Sequence, residues 1–320
     1  MGKYDNMKYN RCGDSGVLLP GISLGLWHNF GTDAVYSNCR EMILKSFDLG
    51  IIHFDIANNY GPLPGSAEET FGRIFKNELT AHRDELLIAS KAGFNMSEGP
   101  FGEWGSKKHL LNSLDKSLKR TGLEYFDIFY HHRPDPNTHL DETIDALEYA
   151  LRSGKALYVG VSNYSPEQTK EVIEACKKRN IRLLIHQMNY NMFDRSSEDI
   201  VDVLDSYSIG SIAYCPLAQG MLTNRYLGGI PDGSRAATEG TFLKRDNVTE
   251  DKLAKVRALS ELAGKRGQTL AQMALAWVLQ RATSAIIGAS KFLQIEENVR
   301  ALDNTHFSKD ELAAIEKILI

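Results

Sequence analysis

Ile51-Ile52-His53-Phe54-Asp55-Ile56-Ala57-Asn58-Asn59-Tyr60-Gly61 is a short apolar run that stops on an acid and then turns through Asn, Tyr and Gly. The same form recurs twice downstream. Leu86-Leu87-Ile88-Ala89-Ser90-Lys91 ends on a lysine, and Tyr125-Phe126-Asp127-Ile128-Phe129-Tyr130-His131-His132 ends on a histidine pair. Short apolar runs bounded by turn residues read as buried strands. Three successive strands thus deliver an acid, a lysine and a histidine at the same relative end, the arrangement of a site at the carboxyl mouth of a parallel barrel.

On the amino-terminal side, Val17 to Leu26 predicts strand material broken at Pro20-Gly21, with a turn at Gly13-Asp14-Ser15-Gly16 before it, so a β-hairpin opens into the first barrel strand. Helical spacing runs from Asp33, its candidate cap, to Leu49, with Gly50 as the stop. Further helices are predicted at 66–78, 107–121, 140–153, 165–179, 196–207 and 249–266, and further strands at 51–55, 86–91, 126–132, 156–161, 182–187, 210–214 and 284–288. Eight strands alternating with helices favour an α/β fold of the (β/α)8 TIM-barrel type, one domain over 1–320, rather than an open doubly wound sheet. Three additions exceed the repeat. An apolar helix covers 269–279, a long glycine-rich and charged loop covers 216–248 after strand seven, and Ser308-Lys309-Asp310-Glu311 starts a final helix with a capping box.

Composition narrows the function class. With 320 residues, 42% hydrophobic and 24% charged, the chain can bury one large core. A formal charge of -4 with no basic stripe argues against a nucleic-acid partner. Cys12, Cys39, Cys176 and Cys215 form no Cys-x-x-Cys pair, which disfavours a zinc site and a disulfide framework and predicts free thiols in a reducing cytosol. The sequence has no apolar leader and no window of membrane-spanning length, so a cytoplasmic protein with no membrane partner is expected.

A carbonyl reduced by hydride needs a proton at oxygen as the alkoxide develops. Tyr60 is the candidate donor. A free phenol titrates at about 10, and a neighbouring ammonium, Lys91, is expected to lower that value. Asp55 would hold Lys91 charged and oriented, and His132 would donate a hydrogen bond to the carbonyl oxygen. Taken singly, a loop tyrosine, a strand-end aspartate and a strand-end lysine are more often turn or surface residues. Their convergence on one barrel face carries the functional reading. Alternation lets only one of His131 and His132 point inward, and spacing does not choose between them.

Gly50-x-x-x-Phe54-Asp55-x-Ala57-x-x-Tyr60-Gly61, Ile88-Ala89-Ser90-Lys91 and Asp127-x-x-x-x-His132 together resemble the catalytic segments of the aldo-keto reductases, and the likeness extends over nearly the full chain. That resemblance implies a catalytic tetrad of Asp55, Tyr60, Lys91 and His132. It also implies NADPH bound in extended form, although no Gly-x-Gly-x-x-Gly follows a strand here. By the same resemblance, Ser162, Asn163 and Gln187 hold the carboxamide and Tyr214 stacks on the nicotinamide. Pro216, Leu217, Gln219 and Gly220 run beside the pyrophosphate, and Ser290, Lys291, Gln294, Glu297 and Asn298 fall at the adenosine end. Gly288 and Ala289 replace the Lys and Ser of the family's common Pro-Lys-Ser, as in the branch that includes potassium-channel β-subunits. Lys291, Arg225 and Arg235 are then the cations available for a 2′-phosphate.

Ile56 stands where most members have Thr, and Ala57 to Pro62 followed by Gly65-Ser66-Ala67-Glu68-Glu69 is similar to the bacterial L-glyceraldehyde 3-phosphate reductases. Trp27 and Trp104 are expected as pocket walls, Trp27 against cofactor and substrate alike. Arg133, Lys107 and Lys108 are the cations near enough in sequence for a short phosphorylated substrate. The resemblance implies reduction of small aldehydes, L-glyceraldehyde 3-phosphate or methylglyoxal among them, by a homo-oligomer, a tetramer or octamer. The competing expectation is a cofactor-occupied regulatory subunit, disfavoured because acid, lysine and histidine are all present and the channel branch resembles this chain best with Asn in place of His132. A metal-dependent hydrolase using His131, His132 and His139 is disfavoured by the lack of any His-x-His, and no metal is expected.

Overall fold

The computed structural model describes residues 2–238 and 242–320. A hairpin of β1 (Tyr9–Arg11) and β2 (Leu18–Pro20) precedes eight parallel strands: β3 (Ile22–Gly25), β4 (His53–Asp55), β5 (Leu87–Ala92), β6 (Phe126–His131), β7 (Ala156–Ser162), β8 (Leu183–Asn189), β9 (Gly210–Tyr214) and β10 (Ser284–Ile287). They close in the order β10-β3-β4-β5-β6-β7-β8-β9, the (β/α)8 barrel anticipated. The strands are buried on both faces; β6, with Phe126, Ile128, Phe129 and Tyr130 all inaccessible, is typical. That follows from parallel strands covered outside by helices and filled inside by side chains.

The hairpin forms about the predicted Gly13–Gly16 turn and leads into the first barrel strand. Its turn spans 12–17, and the break at Pro20-Gly21 is the corner into the barrel. Tyr9–Arg11 is too short and polar to register as a strand, and pairing with β2 creates it. Val17 and Leu19 join Ala89, Ile128, Ile185, Ile212 and Ile286 in one apolar cluster, so the hairpin plugs the amino-terminal end of the barrel. Gly13 makes the fit possible: its φ is 58°, and a Cβ there would lie 2.0 Å from the Ser208 carbonyl oxygen. With that end stoppered, the carboxyl end is left for a site.

Helix α1 (Tyr36–Asp48) begins after Val35 with no side-chain cap, so Asp33 does not cap it. Helix α2 (Ser66–Ile74) leaves α-geometry before residue 78, passing through a π turn at Phe75–Leu79 into a 3-10 segment at Thr80–Glu85, with the Thr80 hydroxyl bonded to the carbonyls of Phe75 and Lys76. The 216–248 segment is not a bare loop. It winds through four 3-10 turns around a small core of Met221, Tyr226, Ala236 and Leu243; its residues 239–241 lie outside the described part. The final helix keeps its predicted box, Ser308 and Glu311 bonding each other's amides. Among the described residues no helix is long and apolar enough to cross a membrane.

Candidate active site

Asp55 closes β4, and its neighbour β5 carries Lys91 two positions beyond the residue paired with it. Lys91 is fully buried, and its Nζ donates to Asp55 Oδ2 at 2.6 Å, to the Ile56 carbonyl at 2.7 Å and to Tyr60 Oη at 3.3 Å. All three ammonium hydrogens are thereby directed, one of them at the phenol. Asp55 Oδ1 accepts from Gln187 Nε2 at 2.9 Å, so both carboxylate oxygens are used. Tyr60 is brought back to the strand ends by a tight turn. Its carbonyl accepts from the Ala67 amide at the start of α2, and Gly61 follows at φ 98°, where a Cβ would meet Ser66 Oγ at 2.1 Å.

Tertiary structure separates the histidines. His131 turns outward, with Nδ1 2.6 Å from Tyr164 Oη. His132 lies edge-on to Tyr60, centroids 5.8 Å apart, and to Phe94 at 4.7 Å. Burial, with Lys91 adding to it, pushes the His132 pKa well below the usual imidazole range, so the ring is neutral at working pH. A neutral imidazole still has one N–H to offer a carbonyl oxygen.

One expectation is overturned. Tyr60 is not acidified: burial raises its pKa well above 10.0, and the charge of Asp55 adds to the rise. Asp55 and Lys91 form a compact pair, so little net positive field remains at the phenol, while removal from water opposes a phenolate. Burial also lowers Lys91 from 10.5, against the opposing pull of Asp55.

Apart from Lys107 and Lys108, the anticipated cofactor and substrate residues line a single cavity of about 1710 Å³ at the carboxyl mouth, as do Asp55, Tyr60 and His132, while Lys91 lies beneath its floor. That exceeds the roughly 300–1,000 Å³ of a small-ligand pocket and leaves room for an extended dinucleotide. Asn163, at φ 63°, ties the two sides together: its Nδ2 donates to the His132 carbonyl at 2.9 Å and its Oδ1 accepts from Tyr214 Oη at 2.7 Å. After Tyr214, Cys215, Ala218 and Gln219 also have positive φ. The curled backbone closes on itself here, the amides of Ala218, Gly220 and Met221 donating to the carbonyls of Cys215, Leu217 and Ala218. The residues expected at the adenosine end gather at the start of the helix Phe292–Val299, where Gln294 Oε1 accepts from the Ser290 amide at 2.8 Å.

Trp27 packs on His28 and Phe242 at 3.9 and 5.3 Å and faces Tyr60 at 6.1 Å. Trp104 lies 3.7 Å from the Arg133 guanidinium, and Arg133 lines the cavity. Lys107 and Lys108 do not; Lys107 pairs with Asp145 and Lys108 lies over Phe101. Among the described residues, no group of three or more His, Cys, Asp or Glu is placed to hold a metal.

The sequence profile of the aldo/keto reductase family matches residues 21–320. The chain belongs to that family. This aldo/keto reductase is 52% identical over 322 residues, 98% of its own length and 93% of the relative's, to the L-glyceraldehyde 3-phosphate reductase of Escherichia coli (strain K12). It is 34% identical to a probable voltage-gated potassium channel subunit beta of Arabidopsis thaliana over 304 residues, 93% of this chain and 92% of the relative. A putative voltage-gated potassium channel subunit beta of Schizosaccharomyces pombe is also 34% identical, over 308 residues, covering 93% and 89%.

Two features of the aldo/keto reductase site escaped the sequence. Phe94, against which His132 stands, lies in a loop whose composition carries no signal. Glu68 is wholly buried behind the tetrad, accepting from Ser90 Oγ and Arg120 Nε at 2.7 Å each, and so ties α2 to β5; a glutamate next to another near a helix start reads as surface. Alternation at Ser90-Lys91 was the available clue, because an inward Lys91 forces Ser90 outward toward α2.

Buried neutral histidines around the aldo/keto reductase site set an acid limit. Burial lowers His53 to about 4 and His131 and His186 to about 3, and His186 Nε2 accepts from the Tyr164 amide, a bond protonation would abolish. The unfolded chain binds these protons near 6.5 and the folded chain does not. The stability these rings contribute is therefore complete above about 6.5 and is lost as pH falls from there toward 4, by roughly 1 kcal/mol per pH unit for each ring. Urea midpoints at pH 7, 6 and 5 should decline steeply; a flat profile would refute the neutral assignment.

Proposed function

We propose that this aldo/keto reductase is an NADPH-dependent reductase of short aldehydes, with L-glyceraldehyde 3-phosphate or a methylglyoxal-like compound as substrate and Tyr60 as the proton donor. The observation that carries the reading is the buried chain Asp55–Lys91–Tyr60, with bonds of 2.6 and 3.3 Å, ending in a phenol at a cavity floor beside His132.

A reduced nicotinamide held along the cavity would supply the hydride for the carbonyl carbon. Ser162, Asn163 and Gln187 would hold its carboxamide, Tyr214 would stack on its ring, and Arg225, Arg235 and Lys291 are cavity cations suited to a 2′-phosphate. His132, neutral, donates to the carbonyl oxygen and fixes its direction. Tyr60 enters the reaction protonated, as its raised pKa requires, and gives its proton to the oxygen as negative charge develops there. Lys91 matters at that moment, because its ammonium stabilises the phenolate being formed. Asp55 keeps the ammonium aimed. Trp27 and Phe94 make the pocket apolar around the reacting atoms and strengthen these interactions.

A second reading, a cofactor-occupied regulatory subunit, draws on the likeness to channel β-subunits. The intact Asp55, Tyr60, Lys91 and His132 set disfavours it. We take the protein to act in the cytoplasm as a homo-oligomer, a tetramer or octamer.

The deciding experiment is NADPH consumption by the purified protein with a panel of short aldehydes that includes both named substrates. Turnover is expected with NADPH, and faster than with NADH. Tight NADPH binding with no consumption across the panel would replace this function with the regulatory one.

A further inference from the structure

We infer that Arg133 selects phosphorylated aldehydes by taking the substrate's phosphate on the guanidinium edge that Glu103 leaves open. This rests on the aldehyde-reductase reading above and specifies its substrate class.

Arg133 follows His132 directly and lines the same cavity. Its guanidinium carbon lies against two aromatic rings, 4.2 Å from the Phe94 centroid and 3.7 Å from that of Trp104. Nε donates to the Gly93 carbonyl at 3.0 Å and Nη2 to the Glu103 carboxylate, while Nη1 has no hydrogen-bond partner among the described residues. A planar cation packed on two rings and tied to a carbonyl and a carboxylate keeps its orientation, so Nη1 has a fixed direction and offers charge-assisted N–H donors to a phosphate oxygen. Its side chain is 20% exposed, which places it in the wall rather than on the open surface.

The loop beneath is built for this position. The Trp104 amide donates to the same Gly93 carbonyl, at 3.1 Å, that receives Arg133 Nε. Trp104 takes φ 74°, a left-handed conformation unfavourable for a bulky residue, and in it the indole lies against the guanidinium. Backbone strain held by surrounding contacts is a mark of a binding position rather than of routine packing.

Reach is suited to a three-carbon ester. One ring separates the group that orients the carbonyl from the cation: His132 lies 4.7 Å from Phe94, and Phe94 lies 4.2 Å from Arg133. A triose phosphate with its aldehyde at Tyr60 and His132 has only that ring to cross. The other cations lining the cavity, Arg225, Arg235, Lys252 and Lys291, all come from the chain after β9, where the cofactor is proposed to lie. Glu103 neutralises Arg133 when no phosphate is present and competes with one when it arrives, so it tunes the affinity.

The test compares D,L-glyceraldehyde 3-phosphate with D,L-glyceraldehyde at saturating NADPH. Arg133→Met should lower kcat/KM for the phosphate ester roughly 30-fold or more, through KM, and leave glyceraldehyde little changed. An equal loss on both substrates, or none on either, overturns the inference. Glu103→Gln should lower KM for the ester and tighten inhibition by inorganic phosphate; unchanged values count against the proposal even if Arg133→Met does not fold. A wild-type protein that reduces both aldehydes without preferring the ester defeats the inference and leaves the reductase reading standing. If neither is reduced, that reading falls, and calorimetric titration of wild type and Glu103→Gln with glycerol 3-phosphate still decides. Binding tightened by Glu103→Gln supports a phosphate site at Arg133, and no binding or equal binding overturns it.

Discussion

Tyr60→Phe should reduce kcat by about 10²–10⁴-fold, the range general acid catalysis supplies, while NADPH affinity stays close to that of the parent. The substitution removes one oxygen and keeps the ring that packs against Trp27 and His132. Lys91 retains two of its three acceptors, Asp55 and the Ile56 carbonyl, so the floor of the site should hold its shape. Steady-state turnover and a fluorescence titration with NADPH separate the two effects. Turnover near the parental rate would remove Tyr60 from the mechanism. In the parent, the order of titration is also set: burial lowers Lys91 from 10.5 and raises Tyr60 from 10.0, so the ammonium loses its proton first as pH rises. As pH rises, the rate should therefore begin to fall before 10.5 is reached, once Lys91 loses its proton and can no longer stabilise a phenolate.

Lys91→Met is the more damaging change, because it acts on stability and chemistry together. The ammonium and the Asp55 carboxylate are both within a few per cent of complete burial. Removing the cation leaves a charge that Gln187 alone must satisfy, and breaking such a pair costs about 3–5 kcal/mol. Turnover should be lost as well. Denaturant melts of Lys91→Met, Asp55→Asn and the double variant test the cause: the double variant should recover most of the stability and none of the activity. A double variant as unstable as the sum of the singles would mean that Lys91 and Asp55 stabilise the fold independently rather than as a pair.

The segments most readable in the sequence were those whose meaning is local. The run ending at Asp55, the Ser90-Lys91 strand end and the Ser308–Glu311 box each announce themselves through periodicity or capping within a few residues, and each formed as predicted. The hairpin was less legible because Tyr9–Arg11 is a strand only by virtue of its partner, and the 216–248 segment because its small core joins residues that sequence spacing does not group.

Sequence by itself determined the barrel and the end at which the acid, lysine and histidine emerge, and the family resemblance supplied most of the cofactor-side residues expected in the cavity. Only tertiary structure decided which histidine faces Tyr60, that Tyr60 is raised rather than acidified, and that Arg133 rather than Lys107 or Lys108 reaches the cavity. The division has a physical cause. Strand and helix signals are short-range properties of the chain, whereas the direction of a pKa shift and the surroundings of a guanidinium are sums over groups such as Phe94, Trp104 and Asp55, which folding brings together from distant parts of the sequence.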